Sequence, residues 1–218
     1  MISAEGIKPD PAKIEAVKNW PIPTTTDAVK RFVAFSNYYR KCIPNFAKIC
    51  RPLNFLTRKN ITFLWSEECQ LAFDALKRHF VNPPILEYPD FSETNIFNIH
   101  TDASGYAIGA VLSNSTGKPV AYASKALNKA ECNYSTIEKE LLAVVWAVRH
   151  FRPYLYGRKF EVLTDHRPLV YLFSHNNPSS RMTKFRLALA EYDFDIIYKK
   201  GTDNVIADAL SRMSINEL

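Results

Sequence analysis

The hydrophobic positions in the first third of the chain recur with a helical period. Apolar residues repeat at near-helical spacing across 28–39 and again across 66–80, which predicts two amphipathic helices. A further helix is expected at 9–18, and either Thr26 or Asp27 is expected to cap the helix that follows it. The pattern therefore predicts about four short helices in this part of the chain.

The later two thirds of the chain alternate between strand and helix patterns. Short β-rich runs lie at 95–101, 106–112, 120–124, 160–164 and 194–198, and helical periodicity lies at 136–151, 182–192 and 204–212. Ser104 and Gly105 separate the first two runs, which predicts a hairpin. The order βββαβαβα predicts an α/β fold, a mixed five-stranded sheet with helices on both faces.

The net charge is unevenly divided at the break formed by Pro83 and Pro84. Residues 1–84 hold 13 Lys and Arg against 7 Asp and Glu, while the remainder holds 15 against 15, so the whole excess of +6 lies upstream. We predict a small mainly helical segment at 1–84 and an α/β domain at 85–213. A basic segment beside a neutral domain suits a polyanion-binding surface next to a metal site, although charge alone slightly favours an ordinary solvated surface.

The cysteines and the hydropathy pattern indicate the compartment. No C-x-x-C pair occurs, which fits neither a zinc site nor a disulfide framework. No apolar run is long enough to span a bilayer, and the first residues are too polar for a signal peptide. We therefore expect an intracellular, cytoplasmic protein with no membrane partner.

Three aspartates occupy unusual places for charged side chains. Asp102 and Asp165 each follow a predicted strand, and Asp208 lies within an apolar predicted helix. Each alone is most simply a turn or capping residue. Together with a glutamate on the intervening helix, either Glu138 or Glu140, they predict a carboxylate cluster near the sheet edge. Such clusters are held together by Mg²⁺ or Mn²⁺, which prefer oxygen ligands.

Several motifs resemble the ribonuclease H of Ty3/gypsy-type retrotransposon Pol polyproteins, and the likeness runs from about 86 to 212. They are TDAS at 101–104, YASKAL at 122–127, NYSTIEKELLAVVWAVRHFRPYLYGRKFEVLTDHRPL at 133–169 and NVIADALSR at 204–212. The resemblance implies a ribonuclease H-like fold and hydrolysis of the RNA strand of RNA/DNA hybrids by two Mg²⁺ ions, for which Mn²⁺ can substitute. The implied catalytic and metal-binding residues are Asp102, Glu140, Asp165 and Asp208.

Two details of that resemblance involve a choice between residues. Periodicity does not separate Glu138 from Glu140, because both lie in the first turn of the predicted helix. The family pattern places the ligand immediately before a Leu-x-Ala step, which here selects Glu140. The loop at 198–201 lacks the histidine that many ribonucleases H carry there, and His166 is interpreted as a turn residue rather than its substitute.

Residues 6–84 resemble the thumb and connection region of reverse transcriptases from the same polyproteins. The palm and fingers of the polymerase are expected to be partners from the parent polyprotein, so polymerase activity is not expected from this chain alone. Phe32, Phe35, Tyr38 and Tyr39 are predicted to pack in a core. The residues predicted to contact nucleic-acid phosphates are Lys30, Arg31, Arg40, Lys41 and Lys48, for each of which a surface role in solubility is equally plausible.

Two other functional classes compete with the nuclease. A non-catalytic nucleic-acid-binding or connection module, from a decayed or host-adopted element, would keep the fold without turnover. An integrase or transposase of similar fold orders its carboxylates Asp, Asp, Glu. This chain has no suitable glutamate after Asp165, so that class fits poorly.

Overall fold

The structure, a computed structural model, describes residues 2–3, 6–7, 9–174 and 179–199. The upstream part begins with a short antiparallel pair, β1 (Ile2–Ser3) and β2 (Gly6–Ile7). A 3₁₀ turn at Arg40–Cys42 precedes the third of five α-helices. These helices are α1 (Pro11–Lys18), α2 (Thr26–Tyr38), α3 (Phe46–Ile49), α4 (Arg51–Leu56) and α5 (Glu67–Val81).

The caps of the upstream helices differ slightly from the sequence-based expectation. Thr25 caps α2, so the expected caps Thr26 and Asp27 were wrong by one or two positions. Thr25 has the extended backbone of a cap, and its Oγ1 accepts a hydrogen bond from the backbone N–H of Ala28 at 3.2 Å. The described upstream residues form one α-helix more than the four expected. The reason is that α3 and α4 are too short to show a periodic pattern.

An aromatic core joins the upstream helices. The rings of Phe32 on α2 and Phe73 on α5 lie 4.6 Å apart between centroids, and both side chains are buried. Trp20 and Phe35 pack against this cluster. Tyr38 is a correction to the predicted core, because it is 81% exposed.

The later part forms a mixed five-stranded sheet in the order β5-β4-β3-β6-β7, which confirms the predicted α/β class. β3, β4 and β5 pair antiparallel, while β6 and β7 run parallel to β3. The strands are β3 (Phe97–Ala103), β4 (Ala107–Ser113), β5 (Pro119–Ala126), β6 (Phe160–Thr164) and β7 (Phe194–Tyr198).

Helices follow the third strand and the fourth strand of this sheet. They are α6 (Lys129–Cys132), α7 (Thr136–His150), α8 (Arg152–Leu155) and α9 (Ser180–Leu189), with a 3₁₀ helix at Arg167–Ser174. The predicted helix at 204–212 lies outside the described residues. Nowhere in the described part of the chain is a helix both long and apolar enough to cross a membrane.

The two faces of the sheet contact different parts of the chain. Strand alternation turns Ile99 and Leu112 toward α7, where they pack with Leu141 and Val144 in the main core. The opposite face contacts the upstream segment, since the backbone N–H of Ala47 in α3 donates a hydrogen bond to Oγ of a β5 serine at 2.8 Å. The upstream helices therefore cover part of the sheet that α7 leaves open.

Candidate active site

Asp102 and Asp165 lie at the same level on neighbouring parallel strands. Phe97 pairs with Phe160 and His100 with Leu163, and two residues further along each strand are Asp102 and Asp165. Asp165 directly follows β6, as expected. Asp102 was expected to follow its strand but lies inside β3, because the ladder to β4 continues through it.

Glu140 is buried near both aspartates. Its side chain is 7% exposed, and its Oε2 has no hydrogen-bond partner among the described residues. Burial raises the pKa of Glu140 to about 8, and the negative charges of Asp102 and Asp165 add to the rise. A hydrogen bond from the Ala103 backbone opposes it. An unpartnered buried carboxylate oxygen beside two further carboxylates suits a bound cation.

Glu138 has a different role in the same helix. Its carboxylate accepts from the backbone N–H of Ser135 at 2.9 Å and forms a capping box at the start of α7. Its other oxygen lies 2.7 Å from Arg181 on α9. These contacts hold the pKa of Glu138 below its ordinary value, with the Ser135 backbone hydrogen bond as the largest cause. Of the two candidate glutamates, the structure places Glu140 near the aspartates.

Asp102 is half-buried, and its charge is coupled to the groups around it. Burial raises the pKa of its carboxyl group, the Lys48 ammonium opposes that rise, and Asp165 adds to it. Three carboxylates from β3, α7 and the end of β6 thus share one electrostatic environment. Within 9–174 and 179–199, no group of three His, Cys, Asp or Glu side chains has an arrangement that holds a metal ion by itself. The fourth predicted residue, Asp208, lies outside the described residues.

The turn after β6 fixes the backbone next to Asp165. The backbone N–H of His166 donates to Oγ1 of Thr164 at 3.1 Å, and the His166 carbonyl accepts from the N–H of Leu169 at 2.9 Å. His166 therefore lies in a hydrogen-bonded turn, as the turn interpretation predicted. The same turn presents Asp165 as an exposed residue at the edge of the sheet.

The five predicted phosphate-binding residues do not share one location. Lys30 is exposed, with Nζ 3.0 Å from Asp27, and Arg31 is exposed on the same helix. Arg40 and Lys41 lie near His150 at the end of α7, where both lower its pKa after the larger effect of burial. Of the five, only Lys48 has a charge that lowers the pKa of a carboxyl group in the candidate site, that of Asp102. No pattern in the sequence pointed to this electrostatic interaction, because Lys48 and Asp102 belong to different predicted units.

The sequence of the sheet domain matches a known family of domains. Residues 92–192 match the family described as "RNase H-like domain found in reverse transcriptase". This match confirms the resemblance seen in the sequence.

The chain as a whole is similar to part of retrotransposon Pol polyproteins. It is 54% identical to the Retrovirus-related Pol polyprotein from transposon 412 of Drosophila melanogaster, over 98% of this chain and 17% of that protein. It is 35% identical to the polyprotein from transposon gypsy of the same organism, over 100% of this chain and 22% of the relative. It is 36% identical to the Transposon Tf2-3 polyprotein of Schizosaccharomyces pombe, over 97% of this chain and 16% of that protein. The chain thus spans about a fifth of each relative.

Solved structures with the same fold include foamy viral enzymes. The foamy viral protease-reverse transcriptase in complex with RNA/DNA hybrid has a TM-score of 0.75 and 21% identity, covering 98% of this chain and 29% of that chain. The same enzyme in complex with dsDNA has a TM-score of 0.75 and 22% identity, covering 91% of this chain and 43% of that chain. At this level of identity the likeness shows the shared fold.

Proposed function

We propose that the chain hydrolyses the RNA strand of RNA/DNA hybrids, as the ribonuclease H part of a retrotransposon reverse transcriptase. The observation that carries this proposal is the grouping of Asp102, Asp165 and buried Glu140 at one end of the sheet, in a domain of the reverse transcriptase RNase H-like family. The charges of Asp102 and Asp165 raise the pKa of Glu140, and that of Asp165 raises the pKa of Asp102, so this grouping does not stabilise the folded protein by itself.

The donor set suits magnesium. Asp102, Glu140 and Asp165 offer oxygen ligands, and Oε2 of Glu140 has no partner among the residues that the structure describes. We propose that these side chains, together with Asp208, hold two Mg²⁺ ions, or Mn²⁺ in their place. When bound, such ions activate a water for attack and stabilise the charge on the leaving oxygen. The chain itself positions the carboxylates through the β3–β6 register and through the start of α7.

The proposed partner is an RNA/DNA hybrid, contacted by both parts of the chain. The upstream segment holds the entire net positive charge, and it packs on the face of the sheet opposite α7. Phosphate contacts from Lys30, Arg31, Arg40 and Lys41 would align the duplex. Because the chain covers about a fifth of its relatives, we also propose that it works beside polymerase palm and fingers in a longer polyprotein.

One assay separates this proposal from a non-catalytic binding module. A short hybrid with labelled RNA is incubated with the wild-type chain in Mg²⁺, in chelator, and in chelator followed by excess Mg²⁺. Asp102→Asn is the matched inactive variant, since it removes a charge at nearly constant volume. Cleavage that requires Mg²⁺ and is lost in Asp102→Asn is the expected result. Binding of the hybrid without cleavage under every condition would identify a non-catalytic module instead.

A further inference from the structure

Three contacts fix α3 and α4 across the open face of the sheet. The backbone N–H of Ala47 donates to Oγ of Ser124 on β5 at 2.8 Å. The guanidinium carbon of Arg51 lies 4.3 Å from the ring centroid of Tyr106, in the turn between β3 and β4. In the third contact, Oδ1 of Asn45 lies against Gly109 on β4. We call these three contacts together the sheet latch. The latch holds the residues between Asn45 and Arg51 against the end of the sheet that carries Asp102.

The register of the strands places this latch beside Asp102. Asp102 pairs with Gly109, and Gly109 pairs with Ser124, so the three residues form one row across β3, β4 and β5 on the same face. Asn45 lies over Gly109, the middle residue of this row. The backbone N–H of Ala47 donates a hydrogen bond to Ser124, the residue at its end. Lys48 follows Ala47 directly, and its charge acts on Asp102.

Lys48 has a charge that the described residues leave unpaired. None of the ion pairs within 4.0 Å that these residues form includes Lys48, whereas Lys30 of the same segment has Asp27. Lys48 is half-buried, and it directly follows Ala47, whose backbone is hydrogen-bonded to the sheet. A half-buried lysine whose charge acts on a site carboxylate, and which forms no ion pair within 4.0 Å among the described residues, suits an anionic ligand brought to that site.

We propose that Lys48 binds the phosphate at the cleavage position of the RNA strand, so that the upstream segment contributes a side chain to the nuclease site itself. This inference rests on the proposed ribonuclease function and adds a residue to its site. A phosphate that approaches three carboxylates is repelled by them, and a cation close to the same site offsets part of that repulsion. Lys48 thus acts at the point of reaction, while the other basic residues contact the duplex elsewhere.

The first test measures cleavage by the full chain under single-turnover conditions in Mg²⁺. Lys48→Gln removes the charge, Lys48→Arg keeps it, and Lys59→Gln removes the charge of an exposed lysine of the same segment that contacts neither the sheet latch nor the carboxylates. We expect Lys48→Gln to slow cleavage at saturating hybrid about 10- to 100-fold, as for loss of a charge-assisted hydrogen bond. Lys48→Arg should recover most of the rate, and Lys59→Gln should match the wild type.

The second test measures binding in chelator, without any reaction. The cleavage site is first mapped on a short hybrid, and the phosphate there is then replaced by an uncharged methylphosphonate. Removing that phosphate charge should lower the affinity of the wild type more than that of Lys48→Gln. The reason is that the Lys48 ammonium and this phosphate interact directly in the proposed complex. Lys59→Gln should respond as the wild type does.

The outcomes distinguish this inference from the proposed function. If the wild type cleaves and Lys48→Gln cleaves equally fast, Lys48 is not part of the site although the chain is a nuclease. A slower Lys48→Gln whose binding effects are additive with the methylphosphonate would also overturn the phosphate contact. Absence of wild-type cleavage would overturn both proposals. A slow Lys48→Gln, rescued by arginine and coupled to the phosphate, is the supporting result.

Discussion

Oδ1 of Asn45 lies 2.7 Å from the position that a Cβ on Gly109 would occupy. Asn45 is buried and has a left-handed backbone with φ of 52°, a conformation that asparagine tolerates better than most residues. The upstream segment therefore reaches β4 only because position 109 has no side chain. This contact lies in the row that includes Asp102, so packing between the two parts of the chain and the geometry of the carboxylate site are linked.

Gly109→Ala should weaken this packing. The added methyl group forces Asn45 away from the sheet, and we expect a loss of about 1–3 kcal/mol in the free energy of unfolding. Gly105→Ala is the control, because a Cβ there meets nothing within 4 Å. Chemical denaturation of the two variants measures the difference. Equal stability of the two would show that Asn45 moves aside without cost.

Asp102→Asn and Asp165→Asn should each abolish hybrid cleavage while leaving the fold intact. Their proposed role is to bind cations, and neither side chain packs in the main core. In chelator, removal of one charge from a repelling set should leave the melting temperature equal or higher. Labelled-hybrid cleavage and thermal melts test the two statements. Full activity in either variant would contradict the proposed site.

Glu140→Gln and Glu138→Gln should have opposite effects. Glu140→Gln should remove activity and leave stability in chelator equal or higher, since it replaces a buried group that must take up a proton on folding by a permanently neutral amide. Glu138→Gln should keep most activity and lose about 0.5–1 kcal/mol of stability, because it weakens the capping box and the Arg181 ion pair. Parallel cleavage and denaturation measurements give the ranking. The reverse ranking would contradict the assignment of Glu140 but leave the reaction class standing.

The contribution of Glu140 to the stability of the metal-free protein should fall as the pH rises from about 5 to about 8. The folded-state pKa of Glu140 is about 8 against an ordinary 4.5, so in this window the folded state holds a proton that the unfolded state has released. The slope approaches about 1.4 kcal/mol per pH unit. Denaturation in chelator at several pH values measures it. Glu140→Gln should remove this contribution to the slope of stability against pH, and Glu138→Gln should retain it. An unchanged slope in Glu140→Gln would show that Glu140 is not its cause.

Lys41→Ala should reduce the salt dependence of hybrid binding. Each phosphate contact contributes about 0.7–0.9 to the slope of log affinity against log salt, so loss of one contact should lower the slope by about that amount. Lys30→Ala should have a smaller effect, because Nζ of Lys30 is already 3.0 Å from Asp27. Titrations at several salt concentrations test this. Unchanged slopes in both would mean that these residues only solubilise the surface.

The sequence predicted the elements of the sheet well because their patterns are strong and local. The strands β6 and β7 have the predicted bounds, and α7 ends within one residue of its prediction. The carboxylates on β3 and β6 were recognisable from position and from family resemblance. Periodicity left Glu138 and Glu140 undecided. In the structure, the burial of Glu140 and the capping contacts of Glu138 distinguish the two residues.

Contacts between the two parts of the chain could not be predicted in the same way. The approach of Asn45 to Gly109 and of Lys48 to Asp102 depends on how α3 lies on the sheet, and no periodic pattern encodes that placement. Tyr38 shows the related limit, because helical spacing predicted a core position and the structure exposes it. Amphipathic periodicity fixes the buried side of a helix only approximately.

The parallel pairing of β3 with β6 also has a kinetic consequence. β3 and β4 are joined by a short turn and can pair early, whereas β6 follows only after β4, β5 and α7. Non-local parallel pairing is slow, because a long loop must close before its contacts form. We therefore expect the β3–β4 pair that carries Asp102 to form before Asp165 arrives beside it. During synthesis or refolding, we expect the acidic centre to be assembled after the β3–β4 pair.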